Sequence, residues 1–405
     1  MRRSLIICLL ALCTNSLSAQ YDNSLIIGSD TLTYRYTPID QSSTSTRGGG
    51  SGRSIFEPIP VGEDGNLSFM VAPAYSAETN LRLAAAVKYW QYAKEERLVE
   101  EYMRRRVCDI SLMGSASISG FYNVAIEGTH PSLGRSGRHT ISYGAEVCSE
   151  PSRIWGIGYD AALTNDHHNY TEKEYSAWLR YDILVGPVTL GLYADYRYVN
   201  AVKLDDGAAA ILQNEQLALS TSALGARVIY ASHPQAQYST LYEGGTRRGI
   251  YAMAEAFYRP NFLSNIAEGL WSVRAIFDYY QPLWRGALLA LDLSGETHSA
   301  NTPWLLSAQL GSDSRMRGYY AGRFRGNTLI SAQLELRQRI WRGLGIVAWG
   351  GAGEAFSAND PFEWRKVLPS YGAGLRYSYY NLTVRFDAAF GREGAAFILG
   401  INEAF

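Results

Sequence analysis

The chain has 405 residues and a formal net charge of −1, so it carries no basic excess of the kind a nucleic-acid surface requires, and no DNA or RNA partner is expected. Aromatic residues reach 13%, with 29 Tyr and 9 Trp, against only 19% charged residues. That loading suits girdles of Tyr and Trp at two membrane interfaces, and it also suits a carbohydrate-binding β protein.

Residues 1–19 read as a secretory signal, with Arg2-Arg3 as the positive end, Leu5 to Cys13 as the apolar core and Leu17-Ser18-Ala19 as the cleavage site. Leu12 is too large for a lipoprotein box at Cys13, so the mature chain is expected to be unlipidated. Residues 20–53 form a polar, flexible lead ending in Gly48-Gly49-Gly50-Ser51-Gly52. No Gly-Lys-Ser/Thr follows these glycines, so they read as linker and not as a phosphate loop. No later run of eighteen apolar residues suggests a spanning helix. An exported chain of this kind is periplasmic, secreted or a membrane barrel, and without helices only a closed barrel spans a bilayer. Cys108 and Cys148 fall on different strands near opposite rims, beyond disulfide reach, and are expected to stay free.

From Asn66 the sequence breaks into alternating segments of the length a tilted membrane strand needs. Strands are expected near 66–75, 79–92, 105–118, 120–130, 137–149, 173–185, 187–200, 219–232, 247–260, 269–282 and 285–298. Five more follow near 328–341, 343–353, 369–380, 381–391 and 394–405. The last strand places Phe397, Leu399, Ile401, Glu403 and Phe405 on one face. Gly186-Pro187, Pro282-Leu283, Arg342-Gly343 and Tyr380-Asn381 make short turns at one end. The long connections 150–172, 201–218, 299–327 and 354–368 fall at the other, although 93–104 and 233–246 break that pattern. The expectation for residues 54–405 is one all-β, sixteen-stranded antiparallel transmembrane barrel.

The stretch from Leu310 to Arg339 narrows the choice. Ile330, Ala332, Leu334 and Leu336 share one face of a strand, and Ser331, Gln333, Glu335 and Arg337 share the other. A soluble sandwich gives the same alternation. A long loop carrying Arg317-Gly318-Tyr319 precedes this strand, and Arg317 can reach back to Glu335. The chain here resembles the BamA/TamA-like outer-membrane barrels, the bacterial surface antigen family. Their sixth outer loop carries a hydrophobic-Arg-Gly-aromatic motif that folds into the lumen and meets acids on the wall. By that resemblance Met316, Arg317, Gly318 and Tyr319 form the loop motif and Glu335 the first wall acid. The place of the second wall acid, in Trp349-Gly350-Gly351, is taken by Gly350. Ile154-Trp155-Gly156-Ile157-Gly158-Tyr159-Asp160 and the strand pair from Gly372 to Gly391 extend the likeness. Gly400 and the terminal Phe405 look like the C-terminal signal for barrel insertion.

The resemblance implies an outer-membrane protein that inserts or translocates other proteins. Its partners would be outer-membrane lipid, unfolded barrel clients and a periplasmic or outer-membrane protein, with no cofactor. The lead is too short for the POTRA domains of the family's assembly factors, which implies an accessory or partner-dependent member. A passive or plugged solute channel and a structural subunit of a larger complex are the alternatives. No catalytic set is evident, and no Gly-X-Ser-X-Gly elbow occurs. Asp166-His167-His168 and Asp205-Asp206 fall in surface loops with too few ligands for a metal. Arg376, Arg385 and Asp387 face inward on neighbouring strands and read as the lining of a polar lumen.

Overall fold

A computed structural model describes residues 59–405 apart from 63, 77–79, 93–105, 134–136, 165, 233–247, 342, 380–381, 393 and 402. The expected signal (1–19), lead (20–53) and connections 93–104 and 233–246 lie outside the described residues.

Alternation drives most of the described chain into strands. They are β1 (Ile59–Val61), β2 (Gly65–Ser76), β3 (Asn80–Tyr92), β4 (Arg106–Ser117), β5 (Tyr122–Leu133), β6 (His139–Ile154), β7 (His168–Val185) and β8 (Val188–Val202). After these come β9 (Ala218–Ala231), β10 (Gly249–Arg259), β11 (Leu270–Pro282), β12 (Ala287–His298), β13 (Ala308–Leu310) and β14 (Phe324–Gly326). The chain finishes with β15 (Thr328–Trp341), β16 (Leu344–Phe356), β17 (Leu368–Tyr379), β18 (Leu382–Gly391) and β19 (Gly394–Ile401). Every segment expected to be a strand is one. From β2 to β12, and from β15 to β19, each long strand pairs antiparallel with the next, and β12 pairs with β15 across the longest loop. β13 and β14 form a separate hairpin inside that loop.

Three boundaries differ from expectation. β6 and β7 run on to Ile154 and back to His168, because Ile154 and Tyr170 are buried under the loops at that end. At the other end the short β1 pairs antiparallel with Gly65, Asn66 and Leu67 of β2. β19 stops at Ile401 and not at 405. Phe397 faces outward at 75% exposure, whereas Glu403 and Phe405 are buried. These five positions therefore do not share one face, since Arg376 and Arg337 draw the last residues inward.

The burial pattern is that of a soluble protein turned inside out. Leu192, Leu224, Leu334, Leu375 and Phe386 are exposed, while Arg82, Arg180, Arg317, Arg337 and Arg376 are among the largest fully buried side chains. Facing water, so much contiguous apolar surface is untenable; facing lipid it is the low-energy arrangement. The soluble-sandwich alternative fails on this observation.

Inside, charge alternates across the wall. Asp182, Gly191, Arg227, Glu255, Arg274 and Glu296 are successive register partners from β7 to β12. Arg227 reaches past Gly191 to grip both oxygens of Asp182, at 2.9 and 2.6 Å. A Cβ on Gly191 would lie 2.3 Å from Asp182 Oδ1, so glycine there admits the pair. At the end with the longer loops, Ile154, Tyr170, Val199, Leu212, Leu219 and Trp304 pack into an apolar cap. Asp205 holds its edge by accepting hydrogen bonds from the Asn169 and Ala208 amides, at 2.6 and 2.8 Å. Cys108 and Cys148 are free thiols.

Outward-facing Leu334 lies in the middle of β15. Leu334→Arg is expected to cost about 2–4 kcal/mol in urea-induced unfolding from lipid vesicles. Equal stability of the variant would contradict a lipid-facing outer wall.

Candidate functional site

The site is built where the 299–327 loop folds back against the inner wall of β12 and β15 to β18. Asp292, Gln333, Gly351, Ser370 and Gly391 are successive register partners across these strands, and the loop follows that row. Arg315 donates to both oxygens of Asp292, its Nη2 lying 2.6 Å from Oδ2. Gln333 accepts from the Met316 amide and donates to the Ser314 carbonyl, each at 3.2 Å. The Ser370 hydroxyl donates to the Arg317 carbonyl at 2.6 Å.

Gly318 then touches the backbone of β18. Its φ of +101° is in the left-handed region, and a Cβ there would sit 2.8 Å from the Phe390 carbonyl carbon. Both restrictions select glycine. Tyr319 closes the run over Gly391. Its hydroxyl donates to the Pro369 carbonyl at 2.6 Å and accepts from the Arg392 amide at 2.8 Å. Met316 takes a φ of 49° without being glycine, a strain of about 1–2 kcal/mol. Its buried side chain and the Gln333 bond hold it there.

The Arg317 side chain continues inward to the next rows. Nη2 donates to Glu335 Oε2 at 2.6 Å and Nη1 to Asp387 Oδ2 at 2.9 Å, and all three side chains are fully enclosed. Its guanidinium carbon lies 3.6 Å from the Trp349 ring centroid. The indole fits because Gly372 opposite it has no Cβ, which would come within 2.4 Å. A planar, always-charged fork suits this position, since one cation meets two carboxylates on different strands and an aromatic face.

Two features differ from the sequence reading. Arg317 reaches Glu335 as expected but divides its fork between Glu335 and a second acid, Asp387. Gly350 is not the vacated place of the second acid: it faces outward with open space around it, while Trp349 and Gly351 face in. The second acid is Asp387 on β18, across two intervening strands from Glu335. Its inward alternation with outward Phe386 was visible in the sequence, but its pairing depends on the register of four strands.

Each acid holds a further arginine. Arg337 donates to Glu335 at 2.7 Å and to the Phe405 carbonyl at 2.8 Å. Arg376 donates to Asp387 at 2.5 Å and to Glu403 at 2.7 Å. Phe405 packs on Tyr280, Leu288 and Ala290. Glu403 and Phe405 thus join the same network; Gly400 lies on β19 opposite Arg385.

Above the loop, Tyr159 of the Ile154 to Asp160 run packs on Phe324. Arg323 donates to the Ala162 and Thr164 carbonyls, both at 2.9 Å. Asp360 accepts from the Tyr159 amide at 2.8 Å and from Lys366 at 2.5 Å. Burial raises the Asp360 pKa, but these two hydrogen bonds outweigh it and hold the carboxyl below its ordinary value. Among the described residues no group of three or more His, Cys, Asp or Glu could hold a metal.

No protein-family model matches the sequence, and no curated protein matches it by sequence. Solved structures do match in fold. BamA from Haemophilus ducreyi lacking POTRA domains 1–3 superposes with a TM-score of 0.52 at 15% identity, over 84% of this chain and 69% of that one. CdiB from Acinetobacter baumannii gives 0.51 at 12%, over 84% and 60%, and CdiB from Escherichia coli 0.51 at 14%, over 85% and 62%. The fold is that of the BamA/TamA-like outer-membrane barrels. The chain spans roughly two thirds of the length of these BamA-like neighbours.

Glu335→Ala strands Arg317 and Arg337 in the interior and is expected to cost about 3–5 kcal/mol locally, with Asp387→Ala similar. The checks are loss of heat-modifiable migration and faster proteolysis within 310–326. Gly318→Ala should release the loop by a different route, through collision with Phe390. An aspartate with a lowered folded pKa contributes stability above its unfolded value of about 4, lost as pH falls through the folded value. Protection of the Tyr159 amide from hydrogen exchange should therefore hold at pH 5 and fall in strong acid.

Proposed function

We propose that this chain inserts or translocates other proteins at the outer membrane, as an accessory or partner-dependent barrel of the BamA/TamA type. The observation that carries this reading is Arg317, borne on a long loop and shared between Glu335 and Asp387 in the interior. A loop held by ion pairs and hydrogen bonds docks reversibly, as a barrel that opens to clients requires. The β2 edge also supports it, since β1 adds there as a short antiparallel strand. A client strand would add to the same edge by main-chain pairing. In this reading the partners are outer-membrane lipid, unfolded barrel clients and a periplasmic or outer-membrane protein, and no enzymatic step or cofactor is involved. Gly400 and Phe405 serve as the signal for the chain's own insertion, which follows an N-terminal secretory signal over 1–19.

A plugged solute channel is the second reading, favoured by the depth at which Met316, Arg317 and Tyr319 fill the interior. Vesicles carrying the chain separate the two. Faster folding of an unfolded client barrel, lost on Arg317→Ala, supports insertion. Stable conductance with no effect on client folding overturns it in favour of the channel.

A further inference from the structure

Two arginines face each other across β17 and β18, since Arg376 and Arg385 are direct register partners. Like charges so placed are destabilising, and the docked interior does not need both. Arg317, Arg337 and Arg376 already balance Glu335, Asp387 and Glu403, and all six side chains are fully enclosed. Arg385 stands outside this set. Its Nη2 donates to Asp313 Oδ2 at 2.9 Å and its Nη1 to the Asp313 carbonyl at 2.8 Å, both on the loop. The same Nη1 lies 3.5 Å from Asp387 Oδ2, the oxygen that Arg317 holds at 2.9 Å.

We infer that Arg385 is a stand-in cation, bound to Asp313 while the loop is docked and moving onto Asp387 when the loop withdraws Arg317. This rests on the reading that the loop leaves the wall. For the β15 to β18 set, departure removes Arg317 and Asp313 together, one charge of each sign, while Arg315 leaves Asp292 on β12. Arg385, freed by the loss of Asp313, then occupies the oxygen vacated by Arg317. The inner set stays at three cations and three carboxylates in both states. Without the exchange, withdrawal leaves Asp387 and Glu403 to share Arg376, an uncompensated buried charge of the kind that is strongly destabilising. Arg385 therefore acts on both sides of the equilibrium, holding the docked loop through Asp313 and lowering the cost of its release through Asp387.

The two roles have opposite signs and can be separated. The readout is the rate at which a water-soluble maleimide labels Ser314→Cys, in the full chain with Cys108→Ser and Cys148→Ser, in lipid vesicles. Asp313→Asn removes the ionic half of the docked anchor, leaves Asp387 untouched, and is expected to raise labelling roughly 5-fold or more. On that background Arg385→Met removes the stand-in together with the remaining bond to the Asp313 carbonyl. Loss of that bond alone would raise labelling further, so a fall below Asp313→Asn alone, the expected result, reports the stand-in. Arg385→Lys, which keeps a charge beside Asp387, is expected to label as Asp313→Asn does, and supplies the comparison if Arg385→Met does not fold. Labelling of Asp313→Asn/Arg385→Met at or above that of Asp313→Asn makes Arg385 a plain anchor and overturns the inference, leaving the mobile-loop reading intact. Protection of Ser314→Cys in every variant, Arg317→Ala included, overturns both.

Discussion

One guanidinium enclosed in the interior sets the terms for the rest of the molecule. The Arg317 guanidinium is fully enclosed by protein, so its charge must be met by carboxylates. Those carboxylates lie on β15 and β18, with Trp349 of β16 and Ser370 of β17 between them. Four strands must therefore be in one register. A slip of a single residue would send Glu335 to the lipid face and Leu334 or Leu336 inward, so the oily outer wall and the ionic inner wall fix the same pairing from opposite sides.

Shape matters as much as charge. A backbone can lie against a sheet only where the sheet lacks side chains, and the inner wall under the loop is paved with Gly351, Gly372, Gly374 and Gly391. A Cβ on Gly374 would come within 2.0 Å of Asp387 Oδ1, and one on Gly391 within 2.7 Å of the Tyr319 ring. These absences let Asp387 lean toward Arg317 and let Tyr319 lie flat. The loop contributes its own absence at Gly318. Specificity comes from matched gaps together with matched charges.

Much of this was legible in the sequence because a membrane strand writes its environment as strict alternation. Ser331, Gln333, Glu335 and Arg337 could be assigned inward and Leu334 outward from period two alone, and every long strand was placed to within a few residues except at the extended ends of β6 and β7 and the early end of β19. What could not be read were contacts that skip strands. Asp387 was visible as an inward acid, but choosing it over position 350 required the register of β15 through β18. The inward turn of Glu403 and Phe405 was hidden for a similar reason. Alternation continues past Ile401 in the sequence, and contacts with the distant Arg337, Arg376 and the Tyr280, Leu288 and Ala290 cluster break it. Asp205 read as an exposed acid, and its two amide partners appear only once Asn169 is brought to the start of the short helix Asp206–Ile211, which Asp205 caps.

An interior held by ion pairs behaves differently from one held by apolar packing. Buried pairs give back in Coulomb attraction roughly what they cost in desolvation, so they add little net stability while strongly penalising any partial loss. Such a core favours two complete arrangements over intermediates. Arg317 with Glu335 and Asp387 is one complete arrangement, and it couples the loop to Arg337, Arg376 and the segment after β19. A loop held by oily contacts alone would have no comparable coupling to the wall. Here Tyr319, Met316 and Phe324 supply a small apolar cluster, while the ionic fork ties the loop to two strands at once.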